Sequence, residues 1–396
     1  MTPRASRRAL ALGLALALAP LAAPPTAAAR PAAPREAGTS PGWLRVNTPD
    51  GIAIPSLAGD PEGGWVFAAT RTAQGRTLHR GPLAEPSQWR EIGSLGRVTD
   101  VAVQLGGGEV IAGLFGDGVA RSADAGNAFG PRQLPGEWVT AVAAVPFRLY
   151  AASSGPAQRG IWLDADGTGN WLRQAGSDAI NTIQFWELVV DPRGRPWAGT
   201  HGQGLWRADP PAGDPAGDPL WAPVGDAELG VATVMAVAFD ATDPDLVYAG
   251  LGEQPELGPS GRLGLRVSRD GGASWSRYAT VGGGSGDVAA FPDYVVRAVA
   301  ASAAPRRAYA GVWGRGLHAT ADGGRSWQAV PMPTPEGAYV SALLTLVPSD
   351  ATVATCELLF VATPDGVWVR NASRIELTVA YLPATFRAHV MPVALR

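Results

Sequence analysis

Three acidic residues, Asp117, Glu253 and Asp365, each stand in a turn-like stretch between apolar runs. Two carboxylates across a cleft can share acid and base roles in glycosidic-bond hydrolysis, so these are the catalytic candidates. Nothing in their spacing defines a pair. Other chemistries lack their residues. His79, His201, His318 and His389 are scattered, and no Cys/His cluster marks a metal site. The stretch Asp164-x-Asp166-Gly167-x-Gly169 opens like a calcium loop but lacks the terminal Glu of an EF-hand. There is no phosphate loop and no Gly-x-Ser-x-Gly elbow. No metal and no cofactor is expected. Cys356 is the only cysteine, so no internal disulfide can form, and its place before Leu358-Leu359-Phe360 reads as core filling.

The elements that must position these residues are repeats. An aromatic residue ends a recurring turn at Trp43, Trp89, Phe129, Trp171, Trp221, Trp275 and Trp327, at intervals of 40 to 54 residues. Upstream in each unit stands a large apolar residue followed by two small ones, as in Ile111-Ala112-Gly113, Trp197-Ala198-Gly199, Tyr248-Ala249-Gly250 and Tyr309-Ala310-Gly311. The unit from Val295 to Val330 divides into four short strands: 296–299, 307–312, 316–320 and 326–331. Four short strands per period of ~40–50 residues is the pattern of a propeller blade. The small residues fit strands crowded near a central axis. The stretch from Trp43 to Val46 reads as a fourth strand without its first three, and the last unit has three strands without a fourth. Residues 43–47 are therefore predicted to complete the last blade and close the ring, removing an exposed edge.

The sharpest motif sits between the third and fourth strands. Ser268-Arg269-Asp270-Gly271-Gly272-Ala273-Ser274-Trp275 has the form Ser/Thr-x-Asp-x-Gly-x-x-Trp. Thr320 to Trp327 repeats it, Ser122 to Phe129 repeats it with Phe, and Asp164 to Trp171 is a degenerate copy. The carboxylate and hydroxyl can accept turn amides, and Gly permits positive φ. The motif resembles the Asp-box of bacterial neuraminidase repeats, found in sialidases, xyloglucan-active glycosidases, sortilin-type receptor domains and photosystem II assembly propellers. The resemblance covers most of residues 43–371. It implies a seven-bladed, all-β propeller with four-stranded antiparallel blades.

The resemblance also implies that the box lies opposite the ligand mouth, so Asp124, Asp166, Asp270 and Asp322 are expected to be structural. Loops between second and third strands and between blades would then form the mouth. Arg71, Arg76, Trp138 and Asp117 fall on such loops. The expected ligand site is the sector of Arg262, Tyr294, Trp313 and Arg315, together with His201, near the insertions 253–261 and 282–292. A sialidase would carry an Arg-Ile-Pro motif near its start, and none occurs. Xyloglucan-type enzymes combine two propellers and are longer than this chain.

The N-terminus reads as a secretory signal: Arg4, Arg7 and Arg8, an apolar run from Ala9 to Ala23, then Ala27-Ala28-Ala29. The predicted organisation is a signal at 1–29, a leader at 30–41, the propeller at 42–373 and a tail or extra strand at 374–396. Removing residues 1–29 takes away three Arg and moves the net charge from −3 to −6. A mildly acidic chain without basic clusters is a poor partner for nucleic acid. No mature segment is long and apolar enough to span a bilayer. The sequence thus predicts an exported monomer, a non-enzymatic scaffold binding a protein or polysaccharide at its mouth. The alternative is a secreted glycoside hydrolase.

Overall fold

Short runs rich in Val, Ala and aromatic residues, broken by glycine turns, form antiparallel meanders in chain order. The computed structural model describes residues 42–46, 53–72, 75–83, 88–93, 95–104, 108–155, 159–210, 219–252, 264–276, 289–335, 337–348 and 357–371. The predicted signal, leader and tail, the low-complexity loop around 211–218, and Glu253, Arg262 and Cys356 lie outside these residues.

Seven small sheets make a seven-bladed propeller. Blade 1 is β2 (Ala53–Asp60), β3 (Trp65–Thr72), β4 (Gly75–Pro82) and β5 (Arg90–Glu91). Blade 2 is β6 (Val98–Gln104), β7 (Glu109–Leu114) and β8 (Gly118–Ser122). Blade 3 is β9 (Val139–Val145), β10 (Arg148–Ser153), β11 (Gly160–Asp164) and β12 (Trp171–Arg173). Blade 4 is β13 (Phe185–Val190), β14 (Pro196–Thr200), β15 (Leu205–Asp209) and β16 (Leu220–Val224). Blade 5 is β17 (Thr233–Phe239), β18 (Val247–Gly252) and β19 (Gly264–Ser268). Blade 6 is β20 (Val296–Ala301), β21 (Ala308–Val312), β22 (Gly316–Thr320) and β23 (Gln328–Ala329). Blade 7 is β24 (Ala342–Leu346), β25 (Leu358–Thr363), β26 (Gly366–Asn371) and, as its fourth strand, β1 (Trp43–Arg45). Blades 2 and 5 show three strands among the described residues. In blade 5 the fourth-strand position begins at Ser276, whose amide bonds the Val267 carbonyl at 2.8 Å.

The predicted closure is present. Trp43, Leu44 and Arg45 pair with Arg370, Val369 and Trp368. Trp43 also donates its indole N–H to the Pro331 carbonyl of blade 6 at 2.9 Å. The N-terminal strand therefore clips blade 7 to blade 6 as well as completing it.

The core is divided. Each of the seven apolar clusters joins two neighbouring blades, and together they cover every boundary in the ring. The cluster between blades 4 and 5, for example, brings Trp197 and Leu205 against Val234, Val247 and Trp275. Blades are too thin to bury both faces alone, so ring closure and core formation are one process.

The small residues do a different job from the one predicted. Ala69, Gly113, Ala152, Gly199, Gly250, Gly311 and Ala362 all lie on second strands, each opposite the same position of its inner strand. What crowds them is the next blade. A Cβ on Gly199 would lie 2.6 Å from the Val234 carbonyl oxygen, and one on Gly250 would lie 2.6 Å from that of Val296. Gly250→Ala should therefore destabilise by about 1–3 kcal/mol through overpacking. Gly230→Ala, where nothing lies within 4 Å of the added carbon, should stay within about 0.5 kcal/mol. Urea unfolding of both variants checks this.

Candidate functional site

In a meander the turns alternate between the two ends of the sheet. Turns between third and fourth strands fall on one face of the ring. Turns between second and third strands, and the crossings from blade to blade, fall on the other, which is the mouth.

On the first face, carboxylates close the turns. Asp124 Oδ1 accepts the Ser122 hydroxyl at 2.7 Å and the Ala128 amide at 2.9 Å. Asp270 Oδ1 accepts Ser268 and the Ser274 amide, both at 2.8 Å, and Asp322 Oδ1 accepts Thr320 at 2.8 Å and the Ser326 amide at 2.9 Å. In the degenerate copy the work is shared: Asp166 accepts Thr168, and Asp164 Oδ2 accepts the Gly169 amide at 2.8 Å. The amide of Ala128 and the hydroxyl of Ser122 hold the Asp124 carboxyl below its ordinary range.

On the mouth face, Trp313, Gly314 and Arg315 form the turn between β21 and β22. Trp313 is 56% exposed, yet its ring rests on Tyr339 at 4.7 Å, tilted by 54°. Its amide bonds the Val295 carbonyl at 2.9 Å. Arg315 Nη2 donates to the Tyr294 hydroxyl at 2.5 Å, and its guanidinium lies 4.6 Å from the Tyr294 ring centroid. Tyr294 is held in turn, its carbonyl accepting the Gly264 amide at 2.8 Å. Arg315 thus stands against Tyr294, and Trp313 against Tyr339, at one turn and the crossings beside it.

Among the described residues, His201, Asp117 and Asp365 do not join this sector. His201 begins the turn after β14 in blade 4, with its amide on the Gln184 carbonyl at 2.9 Å, two blades away around the ring. Asp117 is in blade 2 and pairs with Arg132 Nε at 2.9 Å. Asp365 is in the blade 7 turn after β25, where its carbonyl oxygen accepts Arg45 Nε at 2.9 Å. Blade 1 stands between the blades of Asp117 and Asp365.

Two carboxylates that sequence reasoning missed lie deeper, on the inner strands. Six inner strands carry a bulge near the mouth, and the residue after it is Ser56, Asp100, Ala141, Glu187, Ala236 or Ala298. Asp100 Oδ2 accepts the Val142 amide of blade 3 at 2.8 Å. Glu187 likewise takes the Val237 amide of blade 5. Both are half-buried. Burial raises the Asp100 carboxyl from its ordinary 3.8 to about 6, against the bonds from Ser56, Val142 and Val101. Burial first, and then the charge of Asp100, push Glu187 well above its ordinary value, while Arg297 pulls it down. The Arg297 guanidinium lies 4.3 Å from the Trp186 ring centroid and reaches Met235 Sδ at 4.0 Å, joining blades 4, 5 and 6. No sequence signal marks these positions, because the residue type changes from blade to blade.

Neither a family model nor a curated protein matches the sequence. Among solved structures, the chain is similar to YCF48 from Cyanidioschyzon merolae, with 16% identity and a TM-score of 0.57 over 84% of this chain and 98% of that one. It is similar to the GH74 xyloglucanase from Xanthomonas campestris, with 20% identity and a TM-score of 0.59 over 83% of this chain and 53% of that one. It is also similar to PorZ, a surface component of the type-IX secretion system of Porphyromonas gingivalis, with 15% identity and a TM-score of 0.60 over 80% of this chain and 46% of that one. The chain thus spans about half the length of the latter two proteins. What it shares with all three is the fold. Among the described residues, no helix is long and apolar enough to cross a membrane.

The tunnel carboxylate has a measurable signature. Asp100 binds its proton more tightly in the folded chain than in the unfolded one. The stability this gives is present below pH 3.8 and is lost as pH rises through about 6. The stability of the wild type relative to Asp100→Asn should fall over that window by on the order of 2–3 kcal/mol. Denaturant unfolding of both proteins from pH 3.5 to 7 checks it, and a flat difference would contradict it.

Proposed function

We propose that this chain is an exported, non-catalytic propeller that binds a ligand on its mouth face, in the sector of Trp313, Tyr339, Arg315 and Tyr294. The observation that carries this reading is Trp313 itself: a large ring more than half exposed, held in one orientation by Tyr339. Leaving an indole in water forgoes its burial, so a fixed and exposed one fits a surface completed by a partner. Arg315, aligned on Tyr294, adds a cation with a set direction beside it.

Export is supported by the order of basic, apolar and small residues within 1–29. A role at a surface or in an assembly agrees with the fold's use in PorZ, a secretion-system surface component. The hydrolase reading needs two carboxylates across a cleft. Asp117 is already committed to Arg132, and the carboxyls of Asp100 and Glu187 hold amides of the neighbouring blade.

The test combines binding with turnover. Residues 30–396 are titrated with soluble plant and bacterial polysaccharides and with peptides, following tryptophan fluorescence and reducing-sugar release. At least one ligand should bind the wild type and bind Trp313→Ala at least about tenfold more weakly, a loss of about 1.4 kcal/mol. No sugar should be released. Release that disappears in Asp117→Asn or Asp365→Asn would instead make the chain a glycosidase.

A further inference from the structure

A second sector of the mouth face, on blades 1 and 2, holds a cavity of about 680 Å³ lined by Arg76, Glu91, Arg97 and Phe115. That volume lies within the range of about 300–1,000 Å³ in which small ligands are held. Its charge is unusual. Arg71 and Arg76 are directly opposite each other on β3 and β4. Like charges in that register repel, and such a pair costs stability unless something negative lies between or beside it. Arg97 adds a third guanidinium from a backbone in the left-handed region, at φ 51°. Among the described residues, none of these three has an ion-pair partner.

Beside the guanidinia lies an aromatic platform. Phe115 and Trp138 stack at 4.9 Å with 29° between their planes, and they are 37% and 38% exposed. Gly116 ties the two features together. A Cβ built there would be 3.4 Å from Arg97 Nη1 and 3.9 Å from the Trp138 ring. The Arg97 fork therefore sits next to the indole, over the same stretch of backbone.

We propose that this cavity binds a carboxylated sugar, a uronate unit of an acidic polysaccharide. A pyranose ring presents an apolar face of C–H groups, which suits the exposed aromatic surface of Phe115, backed by the Trp138 ring stacked on it. The carboxylate at the ring edge suits a guanidinium fork, which can engage it through two parallel bonds. Glu91 on the wall offers an acceptor for sugar hydroxyls. The ligand's negative charge relieves the repulsion between Arg71 and Arg76. This site is independent of Trp313, which stands on blade 6.

The experiment is isothermal titration of residues 30–396 with an oligogalacturonate, its fully methyl-esterified form and an acidic peptide. The acid sugar should bind, more weakly at high salt, and the ester should bind at least tenfold more weakly. Arg76→Gln, Arg97→Gln and Phe115→Ala should each lose at least tenfold in affinity without a fall in thermal midpoint, Arg76→Gln with a rise as the repulsion from Arg71 is removed, and Trp313→Ala should lose nothing. Equal binding of acid and ester, no binding of the acid sugar, or indifference to all three variants would overturn the proposal. So would arginine-dependent binding of the peptide alone. Because Trp313→Ala is the control here, failure at this cavity leaves the blade 6 reading standing, and the reverse also holds.

Discussion

Neighbouring blades are held together by polar side chains of the inner strands that bond the backbone of the next blade. The position after the bulge supplies one kind of bond. Ser56 Oγ takes the Val101 amide at 3.3 Å, Asp100 takes that of Val142, and Glu187 takes that of Val237. The residue that precedes this position, or its equivalent in blade 7, supplies another. Thr99 Oγ1 donates to the Val139 carbonyl at 2.8 Å, Thr140 Oγ1 accepts the Phe185 amide at 3.2 Å, and Ser341 Oγ donates to the Ile54 carbonyl at 2.7 Å across the closure from blade 7 to blade 1. In an antiparallel sheet a bulge leaves backbone groups without a ladder partner. Here the adjacent blade supplies one. In blades 1 to 4 the irregular point of the inner strand becomes a link to the next blade.

The rest of the architecture follows from those links. At the same boundaries the seven apolar clusters pack, and glycines such as Gly199 and Gly250 let the backbones approach. The links also place the bulges at the mouth end of the tunnel, where Arg297, Trp186 and Met235 join three blades. The rim turns that carry Trp313 and Phe115 leave directly from this level. Both turns begin at the end of a second strand and meet an aromatic residue that precedes the next blade, Tyr339 in one case and Trp138 in the other. The repeat has built two aromatic pairs at equivalent stations of the ring. The neighbouring arginines then make them different.

Much of the fold was legible because its devices repeat as letters. The Ser/Thr-x-Asp-x-Gly turn, the aromatic after it and the missing strand at each end of the chain all recur or complement each other in sequence. Trp313, Arg315 and Tyr294 were legible as neighbours because they sit at the same turn and the crossing beside it. The inter-blade links were not legible, since one structural position reads Ser, Asp, Ala, Glu, Ala and Ala in successive blades. Only the strand register shows that these residues are equivalent. Arg97 and Phe115 escaped notice for a related reason: they belong to different strand ends of blade 2 and face a cavity whose other wall is blade 1. His201 and Asp117 were placed on the correct face, but sequence order carries no information on angular position across the ring.

A ring fastened at its inner strands opens as one cooperative unit. Native-state hydrogen exchange of the purified chain, read at the amides of Val101, Val142 and Val237, addresses that most directly. These amides belong to three different blades. If the links fasten the ring, all three exchange only through global opening, with one free energy equal to that from denaturant unfolding. Exchange at three different and much smaller free energies would show blades opening one by one, and would contradict the account.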